Sequence, residues 1–352
     1  MSDYILSPIL PEDVRAVEQL EALLEQEGIQ RDGNLDYTVG LYDQDYELVA
    51  TGSCFGNTLR CMAVDSRHQG EGLMNQVVSE LIQFQYQRGN THLFLYTKCD
   101  KAPIFRDLGF HEIARVEGRV VFMENKSNGF SSYLHKLEQQ TADSGLTGAV
   151  HGAVVMNANP FTLGHQYLVE QAASQCDVLH LFIVSEDVSL VPLKVREQLV
   201  RAGCAHLHNV VFHQTGSYMI SNATFPSYFL KDEDLVITSH AGLDIAVFVK
   251  IAKALNITRR FVGEEPFSHV TSIYNEVMAK GLPEAGISCT VLPRREAEGG
   301  AISASAVRVL LKEGNFESLR SLVPESTLSY FTSPEAQPVL DRIRRSSGVI
   351  HY

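Results

Sequence analysis

Apolar positions along the chain fall into short strand-like runs separated by turn residues, with helical stripes between them. Ala149 to Met156 is one apolar run; it ends in the turn Asn157-Ala158-Asn159-Pro160-Phe161-Thr162-Leu163-Gly164-His165, and a helix-like segment follows from Gln166 to Ser174. Val178 to Val184 reads as the next strand, and Arg260 to Gly263 as a later one. Nearer the N-terminus, Thr58 to Val64 predicts a strand, the Gly-rich turn Arg67-His68-Gln69-Gly70-Glu71-Gly72 follows, and apolar residues at 73, 74, 77, 78, 81 and 82 place a long helix over Leu73 to Arg88. A further strand runs from His92 to Thr97. Strands alternating with helices predict an α/β fold.

A chain of 352 residues is long enough for about two domains, and its 45% hydrophobic content is that of packed cores rather than disorder. Asn125-Lys126-Ser127-Asn128-Gly129 and Thr141-Ala142-Asp143-Ser144-Gly145 are polar and bracket a short segment suited to a bridging helix. The expected division is a first domain over 1–127, a linker over 128–146 and a second domain over 147–352.

The formal net charge of −13 leaves no electrostatic footprint for nucleic acid, so no nucleic-acid partner is expected. Six cysteines at 54, 61, 99, 176, 204 and 289 form no Cys-x-x-Cys pair, Met1-Ser2-Asp3-Tyr4 lacks a basic flank and signal core, and no run of about eighteen apolar residues appears. A reducing, cytoplasmic setting without a membrane partner is expected. His206 and His208, two apart, would point in different directions on a helix, so a surface role outweighs metal binding.

The turn after Met156 carries candidate chemistry. A strand that feeds a helix through a Pro- and Gly-containing turn sets backbone N–H groups and an imidazole where a phosphate would sit. Thr162-Leu163-Gly164-His165 resembles the Thr/His-x-Gly-His signature of the nucleotidylyltransferase superfamily, and Ile302-Ser303-Ala304-Ser305-Ala306-Val307-Arg308 resembles the Ile-Ser-x-Ser-x-x-Arg element late in the same fold. Ser303 or Ser305 can N-cap a helix running to about Lys312, and Gly314 can end it. The resemblance implies a Rossmann-like parallel sheet and attack on the α-phosphorus of ATP with loss of pyrophosphate.

The same resemblance makes His165, Thr162 and Arg308 the expected catalytic residues, with Thr162 confined to hydrogen bonding because Thr stands where His is commoner. Asn157, Asn159, Phe161, Gly164, Ile302, Ser303 and Ser305 complete the expected ATP contacts of the two motifs. Among Lys194, Arg196 and Arg201, after the second strand, Arg196 is the expected phosphate contact; Gly263 and Glu264, with Glu265, are expected near the ribose or adenine. Mg²⁺ is expected on the triphosphate, held mainly by phosphate and water, since no carboxylate cage is visible.

The N-terminal pattern resembles the acetyl-coenzyme A loop of GCN5-related acetyltransferases, Gln/Arg-x-x-Gly-x-Gly/Ala. Ala102-Pro103-Ile104-Phe105-Arg106-Asp107-Leu108-Gly109-Phe110 matches a later element of that family. Gly70 and Gly72, with Arg67, would receive a pantetheine-type group. Many such acetyltransferases keep a proton-donating Tyr where this chain has Phe105, which cannot donate.

Both halves, in this order, resemble the citrate lyase ligase family, including Val262-Gly263-Glu264-Glu265-Pro266-Phe267 and Tyr274-Asn275. That resemblance implies ATP-dependent acetylation of the thiol of a phosphoribosyl-dephospho-coenzyme A group on the citrate lyase acyl carrier subunit, with acetate activated as acetyl-adenylate and AMP and pyrophosphate released. The other readings are an adenylyltransferase building a coenzyme A- or NAD-type dinucleotide, and a non-catalytic regulatory protein that binds an acyl carrier.

Overall fold

The computed structural model describes residues 4–185, 189–219, 225, 228, 233–264, 269–294, 296–297 and 300–346. Two compact units emerge: Met1–Ser132 together with Pro226–Ala246, and Tyr133–Phe225 together with Val247–Tyr352. The first crossing lies inside a helix of the expected linker. The return at Pro226–Ala246 has no compositional mark in the sequence.

In the first unit the chain forms β1 (Ile5–Pro8), α1 (Val14–Gln26), β2 (Tyr37–Tyr42), β3 (Leu48–Phe55), β4 (Thr58–Val64), α2 (Leu73–Gln87), β5 (Phe94–Thr97), α3 (Ala102–Asp107), β6 (His111–Val116) and β7 (Val120–Glu124). The sheet order is β1-β2-β3-β4-β5-β7-β6. Leu73, Val77, Val78 and Leu81 of the predicted stripe are buried in the core with Leu59, Leu95 and Phe110. Pairing between the parallel β4 and β5 covers Thr58↔Phe94 and Leu59↔Leu95 and stops there. The register of β4 on β3 slips between Thr51 and Ser53, and Cys61 has φ 49°. A bulge of this kind bends its strand, so β4 and β5 part and the sheet opens.

Tyr228 and Arg119 tie the returning segment into this unit. The Tyr228 hydroxyl donates to the Tyr96 carbonyl at 2.8 Å, and Arg119 Nη1 donates to Thr238 Oγ1 at 2.9 Å.

The second unit is reached through α4 (Gly129–Asp143). It continues with β8 (His151–Met156), α5 (Leu163–Ala173), β9 (Val178–Ile183), α6 (Leu193–Gly203), β10 (Val210–Gln214), α7 (Glu233–Ala254), β11 (Ile257–Gly263), α8 (His269–Glu284), β12 (Ser288–Leu292) and α9 (Ala304–Glu313). Three short helices, α10 (Phe316–Leu319), α11 (Glu325–Phe331) and α12 (Gln337–Arg345), close the described chain. The five strands are all parallel in the order β10-β9-β8-β11-β12. The order reverses between β8 and β11, and the crevice beyond the carboxyl ends at such a reversal is where open α/β sheets bind ligands.

Stretches buried on both faces explain why β8 and β9 read as apolar runs. β9 nonetheless carries His180, fully buried, in a chain of imidazoles that crosses the sheet. His151 Nδ1 lies 3.0 Å from His180 Nε2, His180 Nδ1 lies 3.0 Å from His213 Nε2, and His213 Nδ1 lies 2.9 Å from Gln140 Oε1. The Gln140 oxygen only accepts, so each ring donates through Nδ1 to the next partner.

One helix, Asp234–Ala254, has the length and mean hydropathy of a membrane span, at 1.6, but half of it is buried inside the protein and it carries Asp234, Asp244, Lys250 and Lys253. Those are the features of a core helix.

Candidate active site

Helix α5 begins at Leu163, earlier than the apolar pattern predicts, because the local chemistry of Thr162 and His165 starts it. Thr162 is the N-cap, with φ −121° and ψ 167°, and its Oγ1 accepts from the His165 backbone N–H at 3.3 Å. His165 Nδ1 in turn accepts from the Thr162 backbone N–H at 3.1 Å and lies 2.9 Å from Thr162 Oγ1. This is a capping box with an imidazole in place of the usual carboxylate or amide. Because a backbone N–H can only donate, Nδ1 carries no proton; the neutral ring holds its proton on Nε2. Burial, and then the charge of Arg294, pull the His165 pKa down to about 4. At neutral pH the ring is therefore an uncharged donor with a settled tautomer, and Thr162 fixes its orientation.

The second motif forms the start of α9. Ser303 is its N-cap and accepts from the Ala306 N–H at 3.0 Å, and Gly314 ends it with φ 73°. Arg308 is 7% exposed; its Nη1 donates to the Asn159 carbonyl at 2.7 Å and its Nη2 to Ser305 Oγ at 3.0 Å. A Cβ on Gly164 would meet the Ile302 carbonyl at 3.3 Å, so glycine lets α5 approach the second motif. The two motifs thus form one locus at the carboxyl end of β8.

Gly263 ends the neighbouring β11, and its carbonyl accepts from Asn275 Nδ2 at 3.4 Å. Glu264 follows, exposed, with its backbone N–H on the Leu292 carbonyl at 2.9 Å. Both stand at the reversal of strand order. Glu265 and the Pro266-Phe267 pair lie outside the described residues.

Three expected ATP contacts occupy other positions. Arg196 has no exposed surface: its Nε donates to the Val191 carbonyl at 2.9 Å and its Nη1 to the carbonyls of Asn157 and Val184 at 2.9 and 2.7 Å. A guanidinium enclosed this way braces the ends of β8 and β9 rather than meeting a phosphate, which corrects the expectation. Phe161 is also fully buried; its ring stacks on the His165 ring at 5.9 Å between centroids, and its carbonyl accepts from Thr327 Oγ1 at 3.0 Å. It backs the histidine as core. Ile302, 3% exposed, packs by Gly164 in the same way.

Asn157 Oδ1 accepts from Ser189 Oγ at 3.2 Å, at the mouth of the turn. Lys194 is exposed, and Arg201 is spent on Glu197 at 2.8 Å and on the Phe212 ring at 4.6 Å. His206 follows α6 rather than lying on it, and its Nε2 is 2.9 Å from Glu170 Oε1 at the surface.

Arg294 was not expected. It stands two residues beyond β12, and its charge reaches His165. The sequence signal was the basic Pro293-Arg294-Arg295 sequence, which ends six residues short of the second motif. Among the described residues no cluster of three or more His, Cys, Asp or Glu is arranged to hold a metal.

In the first unit, the opening between β4 and β5 is a cavity of about 450 Å³ lined by Met62, Val64, Thr97, Lys98 and Phe105, with Gly70 and Gly72 at its edge. Gly70 and Gly72 have φ 91° and 75°, and nothing lies within 4 Å of where a Cβ would stand on either. The positive φ turns the loop, and the missing side chains leave the start of α2 open. Arg67 lies beside this loop with its guanidinium bonded twice to Asp65, at 2.6 and 3.1 Å, which lowers the Asp65 pKa to about 2. Phe105 is buried in the cavity wall.

A family model for the citrate lyase ligase C-terminal domain matches residues 151–331. The chain is 40% identical over 318 residues to [citrate [pro-3S]-lyase] ligase of Klebsiella pneumoniae, covering 89% of this chain and 92% of that protein. It is 39% identical to the proteins of that name from Haemophilus influenzae, over 88% of this chain and 93% of that one, and from Escherichia coli, over 86% and 87%. Among solved structures, the chain is similar to a GNAT-family acetyltransferase of Staphylococcus aureus, 15% identical with a TM-score of 0.31, covering 35% of this chain and 99% of that one. A GNAT-family N-acetyltransferase of Escherichia coli solved with CoA is 16% identical with a TM-score of 0.29, covering 36% and 83%. On sequence identity across nearly its whole length and that of its relatives, the chain belongs to the citrate lyase ligase family.

Proposed function

We propose that this chain activates acetate with ATP and passes the acetyl group to the thiol of the phosphoribosyl-dephospho-coenzyme A group on the citrate lyase acyl carrier subunit. The observation that carries this reading is the meeting of the two phosphate motifs at the sheet's reversal point, with Arg308 of one bonded to the carbonyl of Asn159 in the other. An acetate oxygen bonds to the α-phosphorus while the bond to the β-phosphate breaks, and its electron pair leaves with pyrophosphate. The thiol sulfur then attacks the acetyl carbon, loses its proton to solvent, and expels AMP.

Such a reaction needs fixed donors where negative charge grows, and no nucleophile from the protein. The His165 Nε2–H is suited to the α-phosphate oxygens, since it is neutral and already oriented by Thr162. Arg294 and Arg308 are suited to the leaving pyrophosphate. Mg²⁺ would arrive on the triphosphate and shield its charge, since the described residues offer it no cage of their own.

The cavity of the first unit fits the thiol arm. Its walls are mostly apolar, its edge carries the Gly loop, and Phe105 supplies no proton in the place where the related acetyltransferases keep their acid. Tyr228 also lines this cavity, and its hydroxyl is committed to the Tyr96 carbonyl.

The test is acetate-dependent exchange of labelled pyrophosphate into ATP, followed by acetyl transfer with and without purified acyl carrier subunit. Exchange that needs acetate, and transfer that needs the carrier, are expected. Pyrophosphate release that needs a phosphomonoester instead of acetate would point to dinucleotide synthesis.

A further inference from the structure

Asn159 sits in the turn after β8 with three of its polar groups differently placed. Its Oδ1 accepts from the Val191 N–H at 3.0 Å, and its backbone carbonyl accepts from Arg308 Nη1 at 2.7 Å. A backbone N–H can only donate, so the side-chain amide has one orientation and Nδ2 is the other branch. That Nδ2 is buried without a hydrogen-bond partner among the described residues, in a residue only 4% exposed. Native proteins pair nearly all buried donors, because an unpaired one costs the whole of its lost hydration. An amide held this firmly, with its acceptor side satisfied and its donor side empty, is built to meet an acceptor from outside the chain.

The surroundings narrow the kind of acceptor. Ala158, Phe161, Leu190 and Val191 are buried in the same core cluster as the turn. A single neutral donor in a turn whose neighbours are apolar suits a small monoanion with an apolar tail. A triphosphate needs several donors, charged ones among them, and is better matched by Arg294, Arg308 and the neutral His165.

We infer that Asn159 Nδ2 binds a carboxylate oxygen of the acid substrate and so sets which acid is activated. The inference rests on the acid-activation reading above. In that reading one turn serves both reactants: Asn159 holds the attacking acid, and His165 meets the phosphate it attacks.

Asn159→Asp keeps an oxygen for the Val191 N–H and removes the donor; Asn159→Ala removes both. In acetate-dependent pyrophosphate exchange, both variants should raise the acetate concentration for half-saturation by roughly ten- to a hundredfold. Half-saturation by ATP should stay within about twofold, which is less than the loss of one hydrogen bond. A parallel rise for ATP would place the donor on the nucleotide and overturn the inference, as would unchanged acetate dependence in a folded variant. If the unaltered protein shows no acetate-dependent exchange at all, it is the underlying reading that fails. Should neither variant fold, a crystal structure of the unaltered protein with acetate and a non-hydrolysable ATP analogue decides the matter. A carboxylate oxygen within about 3.2 Å of Nδ2 supports the assignment, and a phosphate oxygen or a water there refutes it.

Discussion

Arg308 Nη1 donates to the carbonyl of Asn159 at 2.7 Å, across a sequence separation of 149 residues. The bond joins the turn that ends β8 to the helix that carries the second motif, so one side chain supports both the fold of the site and its charge. Replacing Arg308 by Ala leaves the Asn159 carbonyl and Ser305 hydroxyl without this donor. A loss of about 1.5–3 kcal/mol in unfolding free energy is expected, as for a buried bond to a charged group. Half-saturation by ATP should rise as well, and Lys should restore it poorly because it lacks the planar pair of donors. Urea unfolding and ATP calorimetry on the same preparations check both parts. Unchanged ATP affinity with only carrier binding weakened would place α9 at another site.

His165→Ala removes an oriented donor from the charge that grows in the transition state, and turnover should fall by roughly a hundredfold or more with the fold retained. The pH dependence is the sharper measurement. With its pKa held at about 4, His165 stays neutral throughout the usual assay range. Between about pH 8 and 6 the acetate-dependent exchange rate should show no acid limb from this residue, unlike an ordinary histidine titrating near 6.5. A limb near that value which disappears in His165→Asn would mean that the charged ring is the working form.

Gly70 and Gly72 belong to the first unit, and the residues proposed for adenylation to the second. Changing both to Val adds side chains at φ 91° and 75°, where branched residues are strained, and fills the open edge of the cavity. Pyrophosphate exchange should persist while acetyl transfer to the carrier thiol falls steeply. Loss of both activities in a folded variant would indicate one shared site, and undiminished transfer would show that this cavity does not hold the prosthetic group.

Local patterns in the sequence carried much of this. The stripe of Leu73, Val77, Val78 and Leu81 reports its own burial by spacing, and Ser303 and Gly314 bound α9 by cap chemistry that needs no tertiary context. What sequence reasoning misplaced depends on distant partners. Arg196 reads as a phosphate contact, and only the ends of β8 and β9 reveal that its donors are spent on carbonyls. Arg294 belongs to no motif and matters because β12 ends beside β11. The attachment of Tyr228 to the first unit follows from a fold in which the chain returns, which composition does not mark. The imidazole chain is the clearest case, since His151, His180 and His213 become neighbours solely through the strand order β10-β9-β8.

That imidazole chain should govern stability toward acid. Burial first, and then the neighbouring rings, pull the His180 pKa down to about 3, and burial pulls that of His213 to about 4. Each ring uses one nitrogen to donate and the other to accept, so a second proton would remove an acceptor from the chain as well as placing a charge in the core. In the unfolded chain the same residues titrate near 6.5. The folded pKa is therefore the lower one: the stabilisation is complete above about pH 6.5, and it is lost as pH falls from there toward about 4 for His213 and about 3 for His180, because the unfolded state binds protons that the native state refuses. Each of the two histidines should cost about 1.4 kcal/mol per pH unit in that window. The urea midpoint should thus be level from about pH 8 to 7 and fall steeply between about 6 and 5. His206→Ala, at an exposed site, should follow the same curve, whereas His180→Leu, if it folds, should be less stable at neutral pH but show a shallower fall. A midpoint that stays level down to about pH 4.5 would mean that the rings accept protons in the native state.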